Sequence, residues 1–379
     1  MIKTLFLLGF LPNPRMQKRI NNAKQNSSVH LVCWDRGKEM LAPPSIEGIT
    51  CRIITEAAGN DPVSRLIPFR RFSKQALSEL CNIKPDIIHV QGLDMLQIAC
   101  DYKRKQNKEV HIIYEVADLH RLLVDRQKGL VRKAAQRLLL RSERKCSKYA
   151  DLLVLTSSKY FDTYFSRFYN EEKVFFFPNI PDLSVFQDYR KKKTHKHFVV
   201  GYFGVIRYKE ELKLLINSLS TTKSNLIIAG YEENDPEIEN LCKGRDDIEW
   251  IGRYDFKKSA AELYGRCDCI FAVYDAGMLN CRVALPNKLY EAVYCELPIL
   301  VADNTYVGEL VNEWGVGIPV VHDSQESIEK ALLAFQDEAQ YNKYVIECQK
   351  HKDYINLEKM NEKYNSFVKK NLRISEVID

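Results

Sequence analysis

Short apolar runs alternate with amphipathic segments of helix length along most of the chain. In the first half, these runs predict six strands, at residues 4–8, 30–34, 52–55, 86–90, 110–116 and 152–156, and a further apolar run at 174–177 closes this half. In the second half, they predict six more, at residues 198–203, 226–229, 248–251, 269–273, 298–301 and 317–320. Strands separated by helices in this way are typical of βαβ units, which form parallel sheets. The pattern therefore predicts an α/β fold.

The alternation restarts once, which indicates two domains. A chain of 379 residues is long enough for two domains of about 150–200 residues each. The polar and basic residues 189–197 are predicted to link them. We therefore expect an N-terminal domain over residues 1–190 and a C-terminal domain over residues 198–353. A last helix, at about 354–372, is predicted to pack away from the second domain.

The stretch 275–302 has the pattern of a loop, a helix and a strand around a ligand site. Pro286 and Asn287 stand just before the apolar helix pattern, where they favour the first helical turn. The unpaired N–H groups of that turn, up to Lys288, can receive a phosphate. Glu291 follows one helical turn later, and a carboxylate there suits the vicinal hydroxyls of a ribose. The stretch is thus predicted to bind a nucleotide.

A second anion site is predicted at the start of the second domain. A turn from Gly201 to Gly204 is expected after its first strand, and Arg207, Lys209 and Lys213 follow. Glycines with nearby cations at a junction between strand and helix suit a diphosphate.

In the first domain, candidate side chains follow the strand at 110–116. Glu115, Asp118 and His120 place two carboxylates and an imidazole at the edge of the sheet where ligands gather. We expect His120 to be an active-site contact, with a satisfied surface histidine as the alternative. Arg15 follows the first strand, where it either approaches a phosphate or an acidic acceptor or is a solvated loop arginine.

Residues 126–148 are strongly basic, with leucines interleaved at helical spacing and Glu143 as their acidic exception. This pattern predicts a helix and leaves two interpretations open. The helix either lies on an anionic membrane surface or has a solvated basic face and packs through its leucines.

The composition excludes several classes of protein. The hydrophobic fraction of 45% supports well-packed cores, and the modest net charge of +6 does not indicate a nucleic-acid partner. No run of 18 uncharged apolar residues predicts a membrane span. Residues 1–15 are predicted to contain the first strand rather than a signal peptide, because their apolar run is short and lacks a small-residue cleavage site.

The eleven cysteines are odd in number and scattered, which predicts reduced core thiols in a cytosolic protein. Cys267 and Cys269 form one close pair. No second Cys or His pair has ligand spacing, so we expect no metal site.

Eight short segments together resemble the GT-B glycosyltransferases, in particular the retaining family 4 (group 1) type with its bacterial capsule, O-antigen and exopolysaccharide enzymes. They lie at residues 114–120, 150–157, 178–179, 201–207, 228–230, 252–253, 264–268 and 286–292. The resemblance implies two Rossmann-like domains whose parallel sheets face each other across a cleft. The N-terminal domain would be the acceptor side and the C-terminal domain the donor side, with the last helix crossing back to the first.

The resemblance also assigns roles to residues. Glu291 matches the ribose-binding glutamate, the backbone at 286–288 would receive the diphosphate, and His120 matches the histidine near the transferring sugar. Arg207 is expected to act on the diphosphate, with Asp118 as a further sugar contact. Such enzymes generally work without a metal or other cofactor.

The sequence departs from the family pattern in two places. Val283 stands where the family usually has a first glutamate that holds the donor sugar, so this role would pass to a backbone amide or to a neighbour such as Asp275 or Asn280, or else be lost. The usual phosphate-loop arginine and lysine would fall at Val205 and Glu210. Their replacements would be Arg207, two positions further on, and either of the lysines at 209 and 213.

The leading hypothesis is a hexosyltransferase that moves a sugar from a nucleoside-diphosphate donor to a hydroxyl of a glycan or lipid-linked acceptor, in bacterial surface polysaccharide synthesis. It would be cytoplasmic, with peripheral contact to the inner face of the membrane. Two alternatives stay open: a nucleotide-sugar 2-epimerase, and a catalytically degenerate scaffold of a membrane glycan assembly.

Overall fold

A computed structural model describes residues 1–37, 47–59, 64–120, 129–191, 197–232 and 235–373. The chain forms two compact units. The first contains Met1–Pro178 together with the chain from Glu358 on, and the second is the continuous stretch Asn179–Leu357. The sequence suggested a boundary near residue 190, but the chain divides after Pro178. The reason is that Phe186 packs on Tyr264, with 5.1 Å between ring centroids, and so belongs to the second unit.

The first unit is built on a parallel sheet of seven strands in the order β3-β2-β1-β4-β5-β6-β7. Its strands are β1 Lys3–Leu8, β2 Ser28–Asp35, β3 Thr50–Thr55, β4 Ile87–Gln91, β5 His111–Val116, β6 Leu152–Leu155 and β7 Val174–Phe176. Its helices are α1 Pro14–Lys24, α2 Leu66–Ile83, α3 Leu93–Lys105, α4 Leu130–Cys146, α5 Lys159–Thr163 and α14 Leu357–Leu372.

The second unit repeats this plan with six parallel strands in the order β10-β9-β8-β11-β12-β13. Its strands are β8 Phe198–Val205, β9 Ser224–Tyr231, β10 Ile248–Gly252, β11 Cys269–Ala272, β12 Ile299–Ala302 and β13 Gly317–Val320. Its helices are α6 Lys209–Thr222, α7 Glu237–Cys242, α8 Phe256–Gly265, α9 Leu279–Val283, α10 Asn287–Tyr294, α11 Tyr306–Trp314, α12 Gln325–Phe335 and α13 Glu338–Lys352.

The α/β fold class is confirmed, and all twelve predicted strands are present with ends shifted by two residues at most, while the apolar run that closes the first half forms the additional strand β7. Strands such as β6 and β12 are buried along their whole length, because parallel sheets covered by helices on both faces bury every side chain. In each unit the strand order reverses between neighbouring central strands, β1 and β4 in the first and β8 and β11 in the second. Ligands of such sheets bind at this reversal, beyond the carboxyl ends of the strands.

The last helix, α14, packs on the first unit. The Tyr364 ring lies 5.3 Å from that of Phe175 and 5.4 Å from that of Phe177. The side chains of Asn365 and Asn22 exchange hydrogen bonds of 2.8 and 3.1 Å. Of the helices in the described residues, none combines the length and the apolar character that crossing a membrane requires.

Candidate functional site

In the second unit, β8 and β9 come very close at their carboxyl ends. The segment predicted as a turn from Gly201 to Gly204 is part of β8, which continues to Val205. That prediction was wrong because Gly201 is packed inside the strand and Gly204 is still paired with Gly230 of β9. A Cβ atom on Gly201 would lie 2.7 Å from the Cys267 sulfur, and one on Gly230 would lie 1.9 Å from the Gly204 carbonyl oxygen. The chain leaves the sheet only after Val205.

Three predicted cations follow β8, and the structure gives them different surroundings. Arg207 is exposed in the loop before α6. The Lys209 ammonium lies 2.7 Å from a carboxylate oxygen of Glu232, and Lys213 is paired with Glu237 at 2.6 Å. Each lysine would have to give up an ion pair in order to contact a diphosphate. The geometry therefore favours Arg207 among the three.

Helix α10 begins as the sequence suggested, with Asn287 in its first turn. Pro286 occupies the N-cap position in an extended conformation, and no side chain of the described residues caps the helix start. The first N–H groups of a helix have no partner within it and attract negative charge. Pro286, Asn287 and Lys288 are all partly exposed there.

Glu291 is the buried centre of this region, with 2% of its surface exposed. Its carboxylate accepts a hydrogen bond from the Tyr264 hydroxyl and contacts the Lys288 ammonium at 2.5 Å. Burial, and next the charge of Glu291, raise the pKa of Tyr264 well above its ordinary value. Tyr264 was missed as a site residue, since an aromatic residue in an apolar helix looks like part of the core.

Val283 and its two proposed substitutes lie between β11 and α10. The sequence suggested a polar loop here, but residues Leu279–Val283 form the short helix α9, whose Cys281 and Val283 are buried. Asn280 is partly exposed on the same helix, and Asp275 is partly exposed in the loop after β11. Val283 thus contributes to packing, which explains an apolar residue at this position.

Asp275 belongs to the one group of potential metal ligands in the described part of the chain. The Glu211, Asp275 and His322 ligand atoms all lie within 4.8 Å of one another. His322 Nδ1 is 3.2 Å from a Glu211 carboxylate oxygen and 4.0 Å from one of Asp275. The hydrogen bond between His322 and Glu211 joins two of the three groups.

In the first unit, Asp118 and His120 are exposed and line a pocket of about 250 Å³ beyond the carboxyl ends of β4 and β5. Gln91, Tyr164 and Glu143 of helix α4 line the same pocket. In the sequence, Glu143 stood out only as the acidic residue of a basic segment. Its position in the pocket was therefore not predicted.

Glu115 lines the pocket as well, but its carboxylate is fully buried and neutralised. Its oxygens lie 3.4 Å from Arg15 Nε, 3.3 Å from Arg19 Nε and 3.0 Å from His89 Nε2. Burial alone would raise the pKa of Glu115, but Arg19, His89 and Arg15 together lower it to about 2. Arg15 therefore lies on helix α1 in a buried ion pair. The solvated loop arginine is contradicted by this position, whereas contact with a phosphate or an acidic acceptor stays a prediction.

Helix α4 covers the described part of the basic segment, while residues 126–128 lie outside the described residues. Its basic side chains are exposed, and so are Leu130 at 86%, Val131 at 84% and Leu138 at 65%. These three apolar residues do not pack into the unit. They therefore weaken the interpretation in which the helix packs through its leucines and only its basic face is solvated.

The eleven cysteines form no disulfides, and nine are buried, in agreement with the expected core thiols. The exposed pair is Cys51 and Cys81.

Comparison with known proteins shows relatives of this two-unit architecture. The succinoglycan biosynthesis protein ExoL of Rhizobium meliloti (strain 1021) is 24% identical over 308 residues, which cover 77% of this chain and 74% of ExoL. A sucrose-phosphate synthase structure from Thermosynechococcus elongatus matches with a TM-score of 0.74 at 14% identity, over 98% of this chain and all of that chain. Anabaena HepE, solved in complex with UDP, matches with a TM-score of 0.70 at 13% identity, over 97% and 100%.

The family match falls on the second unit. Residues 185–352 match the family described as Glycosyl transferases group 1. The match covers less than half of the chain, so the chain resembles the group 1 glycosyltransferases over its second unit. The structural matches add that the shared fold extends over the first unit too, which lies outside the family match. All donor-side candidates, from Gly204 to Glu291, lie within the matched residues, whereas Asp118 and His120 do not.

Proposed function

We propose that this glycosyltransferase moves a hexosyl group from a nucleoside-diphosphate donor to a hydroxyl of a glycan or lipid-linked acceptor. The pathway we propose is the synthesis of a bacterial surface polysaccharide. The family match, the role that the name of ExoL states and the UDP bound to HepE support this. One observation carries it: Glu291 is buried beside Tyr264 and Lys288 at the start of an uncapped helix.

In this proposal, the donor binds to the second unit through its nucleotide. Glu291 holds the ribose hydroxyls, and the backbone of the helix start at Pro286 to Lys288 receives the diphosphate, with Asn287 and Lys288 supplying the N–H groups. Loss of the nucleoside diphosphate from the sugar builds negative charge on the β-phosphate, which Arg207 and the helix start would stabilise. No protein nucleophile is invoked. The departing phosphate takes the acceptor proton, and the configuration of the sugar is retained.

The donor sugar needs contacts that Val283 does not provide. We propose that Asp275 or Asn280, on either side of the start of α9, bonds its hydroxyls. Asp118 and His120 are the corresponding candidates in the first unit, where both are exposed in a pocket.

The donor assignment is tested by measuring turnover with UDP-glucose and other nucleotide sugars in Arg207→Ala and Glu291→Ala. We expect Arg207→Ala to lower kcat by about 10²–10³-fold, since it removes a group that stabilises transition-state charge. Glu291→Ala should act mainly by raising the donor KM. Lys258→Ala, at a highly exposed lysine on α8, is the control. Wild-type rates in both site variants would refute the assignment.

Two alternative functions give different results. A nucleotide-sugar 2-epimerase converts the donor when no acceptor is present, so product analysis with donor alone identifies it. A degenerate scaffold need not bind nucleotide at all, so calorimetry with UDP, GDP and CMP separates it from an enzyme.

We expect no metal or other cofactor to be required. Turnover should therefore survive EDTA. A loss that Mg²⁺ or Mn²⁺ restores would contradict this expectation and direct attention to Glu211, Asp275 and His322.

We also propose that the protein is cytoplasmic and that helix α4 contacts the anionic inner face of the membrane. Its exposed basic side chains supply the charge, and Leu130, Val131 and Leu138 supply an apolar contact. Cosedimentation with vesicles containing phosphatidylglycerol tests this proposal. Binding should fall in a Leu130→Ser/Val131→Ser variant and in high salt. Equal binding to neutral phosphatidylcholine vesicles would contradict it.

A further inference from the structure

The pocket of the first unit contains a buried carboxyl group that the proposed donor chemistry does not use. Glu143 is fully buried, and neither of its carboxyl oxygens has a hydrogen-bond partner among the described residues. Burial, with a contribution from Cys146, raises its pKa to about 8, although the nearby Tyr114 hydroxyl opposes the shift. Buried polar groups without a partner are rare in folded proteins, because each costs free energy. A ligand that completes the hydrogen bonding would explain this one.

Two more groups in the pocket have the same property. The Tyr164 hydroxyl and the Gln91 side-chain carbonyl oxygen are buried, and neither has a hydrogen-bond partner in the described part of the chain. Tyr164 and Gln91 line the pocket together with Glu143. A carbonyl accepts hydrogen bonds, a phenol donates and accepts them, and a carboxyl that keeps its proton also does both. Hydroxyl groups have the complementary capacity.

The charge of the pocket selects against anions. Of its described lining residues, none is a lysine or an arginine, whereas Asp118 and Glu143 add acidic groups. A phosphate or a carboxylate would therefore be repelled by the Asp118 carboxylate, and the described lining residues offer it no lysine or arginine; a protonated Glu143 adds no charge to attract it.

The remaining walls are apolar and aromatic, among them Val116, Leu139 and Phe165. A volume of about 250 Å³ lies just below the range of about 300–1,000 Å³ that is usual for ligand pockets, so one small ring suits it better than a nucleotide. A pyranose combines apolar C–H faces with hydroxyl edges.

We propose that this pocket binds one uncharged sugar residue of the acceptor, with Glu143, Tyr164 and Gln91 bonding its hydroxyls. The proposal rests on the proposed function, since it identifies the part of the acceptor that the first unit recognises. Glu143 has a binding role towards the acceptor, whereas the exposed Asp118 and His120 stay assigned to the donor sugar. A neutral Glu143 donates a hydrogen bond to a sugar oxygen.

The test uses ligand-observed saturation-transfer NMR on the full chain. The probes are the methyl β-glycosides of glucose, galactose and N-acetylglucosamine, with methyl β-glucuronide as the anionic counterpart. We expect transfer to at least one neutral glycoside and none to the glucuronide. Glu143→Leu should reduce the signal at least fivefold, Glu143→Gln should keep most of it because an amide still donates, and Glu291→Ala in the other unit should leave it unchanged.

The variants also separate a binding effect from a folding effect. If Glu143→Leu does not fold, Tyr164→Phe decides, since it removes only the hydroxyl and should weaken the signal several-fold. The proposal is overturned if no neutral glycoside gives transfer, if the glucuronide gives an equal signal, or if folded pocket variants bind as wild type does. Thermal stabilisation by UDP is measured in parallel. If UDP gives no thermal stabilisation, the proposed function is contradicted. The result for sugar binding then stands or falls on the NMR experiment alone.

Discussion

Two buried glutamates of the first unit have pKa values shifted in opposite directions. Glu115 and Glu143 are both fully buried, and burial penalises the charged form of each. Glu115 has Arg15, Arg19 and His89 around it and titrates at about 2. Glu143 forms no ion pair with any described residue and titrates at about 8. Neighbouring charge therefore decides which glutamate is ionised at neutral pH.

For Glu143, the shift makes stability fall as pH rises. The ordinary value is 4.5, so between pH 4.5 and 8 the folded chain binds more protons than the unfolded chain. We expect Glu143→Gln to match wild type near pH 5 and to gain about 2–4 kcal/mol in free energy of unfolding by pH 8, at ~1.4 kcal/mol per pKa unit. Urea unfolding of the first unit across this range measures the difference.

Glu172, an exposed residue of the same unit, provides the matched control. Glu172→Gln should differ from wild type by the same small amount at every pH. A pH-independent difference for Glu143→Gln as well would show that its carboxyl is not held in the acid form.

For Glu115, the sign is the reverse. Its stabilising charge is present above pH 4.5 and is lost as pH falls towards 2. At pH 7, Glu115→Gln should cost about 3–5 kcal/mol, because it leaves buried cations without their partner. Glu79→Gln breaks the exposed pair with Arg52 and should cost at most about 1 kcal/mol. Equal urea midpoints for the two variants would contradict the buried role of Glu115.

At the scale of elements, the sequence predicted the strands well and the connections less well. Apolar runs identify parallel strands because both faces are buried, as β6 and β12 show. The same property hid the end of β8, since Gly201 looked like a turn although it lies inside the strand. Helix α9 was missed because five residues are too few for a clear helical period.

The candidate site was predictable where the chemistry is local. Pro286, Asn287 and Glu291 stand on one short helix, so their spacing alone indicated a nucleotide end. Glu143 gave no such signal, because its environment comes from strands far away in the sequence. Arg15 was misjudged for the same reason, since its partner Glu115 is a hundred residues away.

The close approach of β8 and β9 gives a prediction for one glycine. A methyl group at Gly230 would overlap the Gly204 carbonyl, so Gly230→Ala must push the two strands apart. We expect the free energy of unfolding of the second unit to fall by about 1–3 kcal/mol. Thermal stabilisation by UDP should weaken as well, because Arg207 follows the displaced strand. Unchanged unfolding and UDP response would show that the strands are not in such close contact.

At the scale of the whole molecule, α14 stabilises the first unit from the far end of the chain. Tyr364 is buried against Phe175 and Phe177. We expect Tyr364→Ala to lower the free energy of unfolding of the first unit by about 3 kcal/mol. The loss should appear in the transition of the first unit, while UDP still stabilises the second. Tyr354→Ala, at an exposed tyrosine before α14, is the control. A lower stability of the second unit instead would contradict this packing.

The same helix makes the second unit an insertion within the first, and this has a consequence during synthesis. The ribosome completes the whole of Asn179–Leu357 before it delivers the chain from Glu358 on. Until then, helix α14, which packs on Phe175 and Phe177, has not been synthesised. The second unit can therefore fold first on the nascent chain, whereas the first unit completes its folding only afterwards. A stop codon just before Glu358 would therefore damage the first unit while leaving the second unit complete.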